Sequence, residues 1–260
     1  MNKEIRVILY SDYPSSSLNI DLIVENLKGY GFTAEGRGNL IKSLSLSEQE
    51  IYNLAKYLSS IYISDISIPV DSPGPSNLSE LEIERHKLTG RANVPANFYD
   101  GYWLQRILHS LLAKKLGEEL NSKYVHLIFT GRLFGTFEDR RYHARVILMG
   151  TPSLISTSGL IEAPAKPREY YYVKGRLIQS GMDTAELDNI YKGRFVEYDD
   201  PKITSILTSF ALQVIFYELT GEAFCDNAVC CLSNSHWQEE VLNAQHEGVL
   251  CDKCKALVLK

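Results

Sequence analysis

Read as a pattern of apolar and polar positions, the chain opens with "IRVILY" (5–10), a short apolar run ended by Ser11-Asp12-Tyr13-Pro14, which predicts a buried strand. In "LNIDLIVENLKGYG", Ile20, Ile23, Val24 and Leu27 fall at helical spacing, and Gly29 and Gly31 mark the exit. "FTAEGRG" is a second strand candidate. Ser47 followed by Glu50 predicts a capping box for a helix carrying Ile51, Leu54, Ala55 and Leu58. The β-α-β-α order predicts an α/β layer arrangement.

The texture changes at 67–97, where four prolines are mixed with serine, asparagine and glycine; we read a loop-rich insertion or linker there, with room for one short helix or strand near 79–87. Regularity returns with Leu104, Ile107, Leu108, Leu111, Leu112 and Leu116 on one helical face. "YVHLIFT" (124–130) and "YHARVILMG" (142–150) read as core strands joined by the glycine-containing "GRLFGTFEDRR". "TPSLISTSGLIEAPAKPREYYYVKGR" reads as a strand edge running into a polar loop. A bounded helix follows Asp199-Asp200-Pro201 and ends at Gly221, with Ile203, Ile206, Leu207, Phe210, Ala211, Val214 and Ile215 on its core side. "HWQEEVLNAQ" predicts a short helix, with Trp237 as a cover for the cysteines on either side.

Composition narrows this picture. With 260 residues, the chain is long enough to bury a full core, and 45% hydrophobic with 23% charged residues is ordinary for a globular protein. A formal net charge of −5 removes a global drive toward nucleic acid or anionic membrane. The opening residues run directly into a strand pattern without the apolar core of a signal peptide, and no run reads as a bilayer span, so the expected compartment is the cytoplasm.

All five cysteines lie from Cys225 onward. An odd, clustered set in a cytoplasmic chain points to metal or redox chemistry rather than a disulfide framework. Cys225-x4-Cys230 and Cys251-x2-Cys254 supply two close pairs across a loop, the arrangement of a tetrahedral structural zinc site. We read Cys225, Cys230, Cys251 and Cys254 as zinc ligands and Cys231 as a small buried hydrophobe. Thiol redox chemistry at Cys230-Cys231 or at Cys251-x2-Cys254 is the alternative, with an iron–sulfur cluster behind it.

This tail resembles the archaemetzincin-like zinc peptidases, which carry H-E-x-x-H-x-x-G-x-x-H-C-x4-C-x-M followed by a C-x2-C pair. The four cysteines fall on that pattern, and Gly221 falls on the glycine where the active-site helix turns. "SLISTSGL" looks like the strand that precedes that helix. The resemblance is sharp over 214–254 and extends in order of elements over 120–260. It implies one α/β, metzincin-like domain across 1–260: a mixed sheet with packed helices and a zinc-binding C-terminal module at 222–260. The whole chain looks like a mostly archaeal set of metallopeptidase relatives.

The family's chemistry is interrupted. Val214, Glu218 and Phe224 stand at the three histidine positions, Ile215 at the general-base glutamate, and Leu232 at the methionine. Zinc hydrolysis needs three ligands, an open position and a carboxylate to take the proton from bound water. Valine, isoleucine and phenylalanine supply none of these. Three readings follow. The first is a catalytically degenerate relative with a structural zinc, binding a peptide or protein partner in the former cleft. The second is an active hydrolase with relocated ligands, for which Glu218 and His143 are the catalytic candidates and His126 and His236 further ligands. The third is a nucleic-acid or ribosome-associated zinc protein using Arg132, Arg140, Arg141 and Arg145. Glu162, Lys166, Arg168 and Glu169, on a proline-pinned segment with three tyrosines, and Arg145 are candidate binding residues.

Overall fold

"RVILYS" is apolar at nearly every position because both faces of its strand are covered. In a computed structural model, which describes residues 5–13, 16–90 and 97–258, the chain begins with β1 (Arg6–Ser11), α1 (Ile20–Gly29), β2 (Thr33–Asn39), α2 (Leu40–Ser43) and α3 (Glu48–Ser59). It continues through α4 (Leu78–Leu88), β3 (Phe98–Asp100), α5 (Gly101–Leu116), β4 (Tyr124–Thr130), β5 (Leu133–Glu138) and β6 (Arg141–Arg145). Then come β7 (Ile147–Leu148), β8 (Ser153–Ser156), α6 (Thr157–Glu162), α7 (Arg168–Gln179), α8 (Leu187–Ile190) and α9 (Ile203–Thr220). The chain closes with α10 (Gln238–Glu240), a π-helical turn (Val241–His246) and α11 (Asp252–Val258).

The main sheet has the order β2-β1-β4-β8-β7, parallel except for the antiparallel edge strand β7. Alternation along each strand sorts the side chains by face. Val7, Leu9, Leu127 and Phe129 pack under α1 and α9, whereas Ile8, Tyr10, Ile128 and Leu154 pack against α3 and α5. The mixed α/β class expected from the sequence is therefore the one observed. A second sheet, β3-β5-β6, flanks it, with β3 parallel and β6 antiparallel to β5.

The Ser47–Glu50 capping box forms as expected at the start of α3. The short element foreseen near 79–87 is α4, opened by a second capping box of Asn77 and Glu80. Residues 91–96 of that insertion, and 259–260 of the C-terminal module, lie outside the described residues. α9 is buried at every residue from Ile206 to Phe216, which makes it the core helix. By length and composition alone Ile203–Thr220 is apolar enough to cross a bilayer, contrary to the sequence reading, but 72% of it is buried inside the fold. It ends at Gly221, whose φ of 77° is the left-handed cap conformation that glycine adopts without steric cost.

Three sequence readings are corrected. "GRLFGTFEDRR" is not a joiner: it contains β5 and, with β6, makes a hairpin. "YHARVILMG" is not one core strand but β6 in the small sheet and β7 in the main sheet, half-buried for most of its length. The polar loop expected after Glu162 is largely α7, where Tyr170, Val173 and Leu177 at helical spacing pack with Leu187, Tyr191 and Phe195 into a small core of their own.

Candidate metal centre and cleft

Cys225 leaves α9's exit in an extended bridge to Ser233, Cys230 closes the following turn, and α11 delivers Cys254 one helical turn from Cys251. The four Sγ atoms lie within 4.8 Å of one another, and those of Cys225 and Cys251 are 3.8 Å apart. A tetrahedron with ~2.3 Å zinc–sulfur bonds has an edge of about 3.8 Å, so the donor set and its spacing fit zinc. Backbone N–H groups of Asn227 and Cys251 donate to the sulfurs of Cys225 and Cys230, both at 3.5 Å, although burial still pushes the Cys230 thiol up. Cys251 is half-buried and its thiol is lowered to about 7, chiefly by the Cys254 backbone N–H. Cys231 stands apart: it is fully buried, and burial and then the neighbouring Cys230 push its thiol up to about 12. That environment suits the inert hydrophobe expected of it.

The last turns of α9 have the opposite character. Val214 and Ile215 are wholly buried in the apolar core, while Glu218 on the final turn is exposed. Phe224 lines a cavity of about 260 Å³ together with Phe210 and Gln213 of α9, Arg145 to Ile147 at the sheet edge, and Ser233 to His236. Gln213 is fully buried; its Nε2 donates to the carbonyls of Cys231 (3.2 Å) and Ser233 (3.0 Å), and its Oε1 has no partner. Gln245 donates to the same two carbonyls from the π-helical turn. Two amides thus clamp the segment that leads from the cysteines into the cavity wall.

The edge strand borders the same cavity. Ser156 N donates to Val146 O at 2.7 Å, and Ile147 opposes Ile155. By the alternation of an antiparallel ladder, the N–H and C=O of Ile147 turn toward the open edge.

The other candidate residues scatter. His126 is buried on the α3/α5 face of β4, between Tyr10 and the Glu119 carbonyl, so the sheet separates it from α9. His143 lies on β6 opposite Thr136, with its Nε2 buried and unpartnered, and His236 rims the cavity. Glu162 accepts from the Tyr198 hydroxyl, Lys166 pairs with Asp188 at 2.8 Å above the rings of Tyr170 and Phe195, and Glu169 pairs with Arg194. Arg168 lies over Trp237, which therefore packs against the start of α7 rather than serving as the expected cysteine cover. Only Arg145 of the five candidate binding residues lines the cavity.

Arg132, named among four arginines for nucleic-acid contact, is buried. It bonds to Asp12 and, at 2.8 Å, to Glu84 of α4, and Glu84 also accepts from Tyr62 and Tyr99 and lies 3.4 Å from Lys87. Burial opposes charge on Glu84, but Arg132 and Lys87 overcome it and hold its carboxyl below the usual range. Sequence reasoning missed this knot, and it missed Gln213, although Gln213 is the lone amide in the apolar run 206–216.

Over residues 3–260 the chain matches the family described as "Probable metallopeptidase family (DUF6775)". It belongs to that family. The match bears out the resemblance drawn from the cysteine spacing. Among solved structures, the DUF6775 chain is similar to a zinc-dependent peptidase from Methanocorpusculum labreanum (strain Z), at 11% identity and a TM-score of 0.48, covering 97% of this chain and 99% of that one. It is also similar to archaemetzincin from Methanopyrus kandleri, at 10% identity and a TM-score of 0.44, covering 99% of this chain and 94% of that one. No curated protein matches this DUF6775 chain.

Proposed function

We propose that the chain is a metallopeptidase-family protein that keeps a structural zinc on Cys225, Cys230, Cys251 and Cys254 and binds a peptide or protein segment in the former cleft, without the family's hydrolysis. The observation that carries this reading is the burial of Val214 and Ile215 in the apolar core, at positions where the resemblance calls for a metal ligand and a general base. Neither side chain can hold a metal or move a proton, and Phe224 puts a ring into the cavity at the third ligand position. Among the described residues, the four cysteines are the one group of three or more His, Cys, Asp or Glu side chains placed to share an ion. The cavity supports the binding half of the reading, with an open strand edge at Ile147 and apolar walls from Phe210 and Phe224.

Zinc stoichiometry on the purified chain tests it. One zinc per chain, lost in Cys251→Ser/Cys254→Ser, is the expected result. A second zinc that persists in that variant and falls with Glu218→Ala would overturn the reading in favour of relocated ligands. His143, with its unpartnered Nε2, is then the first residue to substitute.

A further inference from the structure

We propose that Cys225 and Cys251 are a modification site: a neutral oxidant of the hydrogen peroxide class joins them as a disulfide and releases the zinc. This inference rests on the zinc reading above. A recess of about 540 Å³ lies against the cluster on one side. Its walls are Cys225, Asp226, Asn227, Cys251, Asp252 and Lys253, so two of the four ligands border it and two do not. Cys230 and Cys254 are buried, and Cys251 is the one half-exposed thiol of the five. Cys225 Sγ accepts from the Asn227 N–H at 3.5 Å and lies 3.8 Å from Cys251 Sγ, and both of those partners belong to the wall.

Around zinc all four sulfurs are thiolates, so thiolate character does not rank them. Oxidation of cysteine follows thiolate character and access together, and here access decides. It selects Cys251 for the first step and Cys225, on the same wall, for the second. The pairs suggested by the sequence do not meet this condition. Cys230 and Cys231 are both buried and neither borders the recess, and in the Cys251-x2-Cys254 hook only Cys251 does.

The recess also selects the oxidant. Asp226 and Asp252 against Lys253 leave it net negative before the thiolates are counted, which disfavours an anionic oxidant such as glutathione disulfide. Hydrogen peroxide is neutral and small. In the first step the Cys251 thiolate attacks one peroxide oxygen. The S–O bond forms, the O–O bond breaks, and hydroxide leaves with the electron pair, so sulfur is oxidised and peroxide reduced. In the second step the Cys225 thiolate attacks the sulfenic sulfur. The S–S bond forms, the S–O bond breaks, and a second hydroxide leaves. Two thiolates and one peroxide thus give one disulfide and two hydroxides. Zinc keeps only Cys230 and Cys254, two of the four donors of a closed structural site.

The test treats the zinc-loaded full chain with hydrogen peroxide at rising molar ratio and follows zinc release with a chromogenic chelator. After quenching with catalase, free thiols are alkylated in denaturant and the cross-link is mapped by mass spectrometry. The expected result is one zinc released per chain in step with a Cys225–Cys251 disulfide, with Cys230, Cys231 and Cys254 recovered as alkylated thiols. Release should be at least tenfold faster than with glutathione disulfide at the same concentration, and dithiothreitol with added zinc should restore the starting metal content. A chain that neither holds nor takes up zinc overturns the zinc reading, and this inference with it. Zinc that survives peroxide, or that leaves with a Cys225–Cys230 or Cys251–Cys254 cross-link instead, overturns this inference alone and leaves the structural zinc in place. Equal rates with the two oxidants overturn the assignment of the oxidant class.

Discussion

Two places in this molecule gather ionisable groups, and they resolve the problem differently. At the C-terminal cluster four sulfurs converge within 4.8 Å, and as thiolates they repel one another until a cation sits among them. At the end of β1 and β4, Asp12 and Glu84 converge on Arg132, with Lys87 beside Glu84, and the knot neutralises itself. The first arrangement has the donors and the spacing to hold a cation. The second is balanced in charge, although Arg132 Nε is buried without a partner, and it fastens α4 of the insertion to the end of the central sheet. A cluster of one sign therefore marks a binding site, whereas a balanced cluster, however deeply buried, marks a brace.

Removing the metal should break this comparison most visibly. Structural zinc in small modules contributes an apparent ~10–16 kcal/mol, whereas Leu232, Val241 and Leu250 tie the four-cysteine tail into the main core. Chelation, or Cys251→Ser/Cys254→Ser, should release the zinc and raise hydrogen exchange across 225–258. The effect should reach Ser233 to His236, because Cys225 N and the Gln213 and Gln245 amides bind the 231–233 segment. Unchanged exchange in the cleft wall after chelation would mean that the cysteines do not support the cleft.

The knot should respond to loss of one member rather than to chelators. Glu84→Gln leaves Arg132 with one carboxylate in a buried setting, and breaking such a pair costs about 3–5 kcal/mol. Urea unfolding at neutral pH measures it. The acid limb provides a second readout. Glu84's carboxyl is held below its ordinary range, so its contribution is complete above about pH 4 and is lost as the pH falls through the folded value. Glu84→Gln should flatten that part of the stability profile, and an unchanged acid limb would remove Glu84 from the account.

The same contrast explains what could be read from sequence. The cysteines were legible because both hooks are local, separated by four and two residues. The knot was not, because Arg132 meets Asp12 and Glu84 across 120 and 48 positions, and nothing near Arg132 in the chain distinguishes it from Arg140 or Arg141. α9 was legible from its unbroken apolar content and its terminal glycine. β5 was missed for a different reason. Its hairpin turns on Asp139 and Arg140, with φ of 50° and 67°, where a two-residue hairpin usually shows asparagine and glycine. α7 was missed because three consecutive tyrosines hide a helical stripe: only Tyr170 of the three faces inward, with Val173 and Leu177. Of the candidate site, the four-cysteine cluster could be read, while the cavity wall depended on glutamines whose role appears only when 213 and 245 meet the same carbonyls.

α9 itself can be assigned to one side of the comparison or the other. If its final turns are brace rather than binding site, Ile215→Ala should cost roughly 2–5 kcal/mol in urea unfolding, the range for a large-to-small change in a packed core. It should leave zinc content at its wild-type value. A loss of metal with little loss of stability would instead place Ile215 near an ion.

Glu218→Ala carries the smallest expected effect and the sharpest distinction. Glu218 is exposed on the last turn of α9, three residues from buried Ile215, and surface substitutions usually change stability by no more than about 0.5 kcal/mol. On the degenerate-cleft reading, neither zinc content nor peptide binding should move beyond that scale. A Glu218 that served as a metal ligand or base would behave otherwise, because loss of an ionised ligand disrupts the site it completes. Measuring zinc per chain in Ile215→Ala and Glu218→Ala together separates the two outcomes: stability lost and metal kept at 215 with no change at 218 assigns the helix to the core, and metal lost at 218 with stability kept assigns it to a working site.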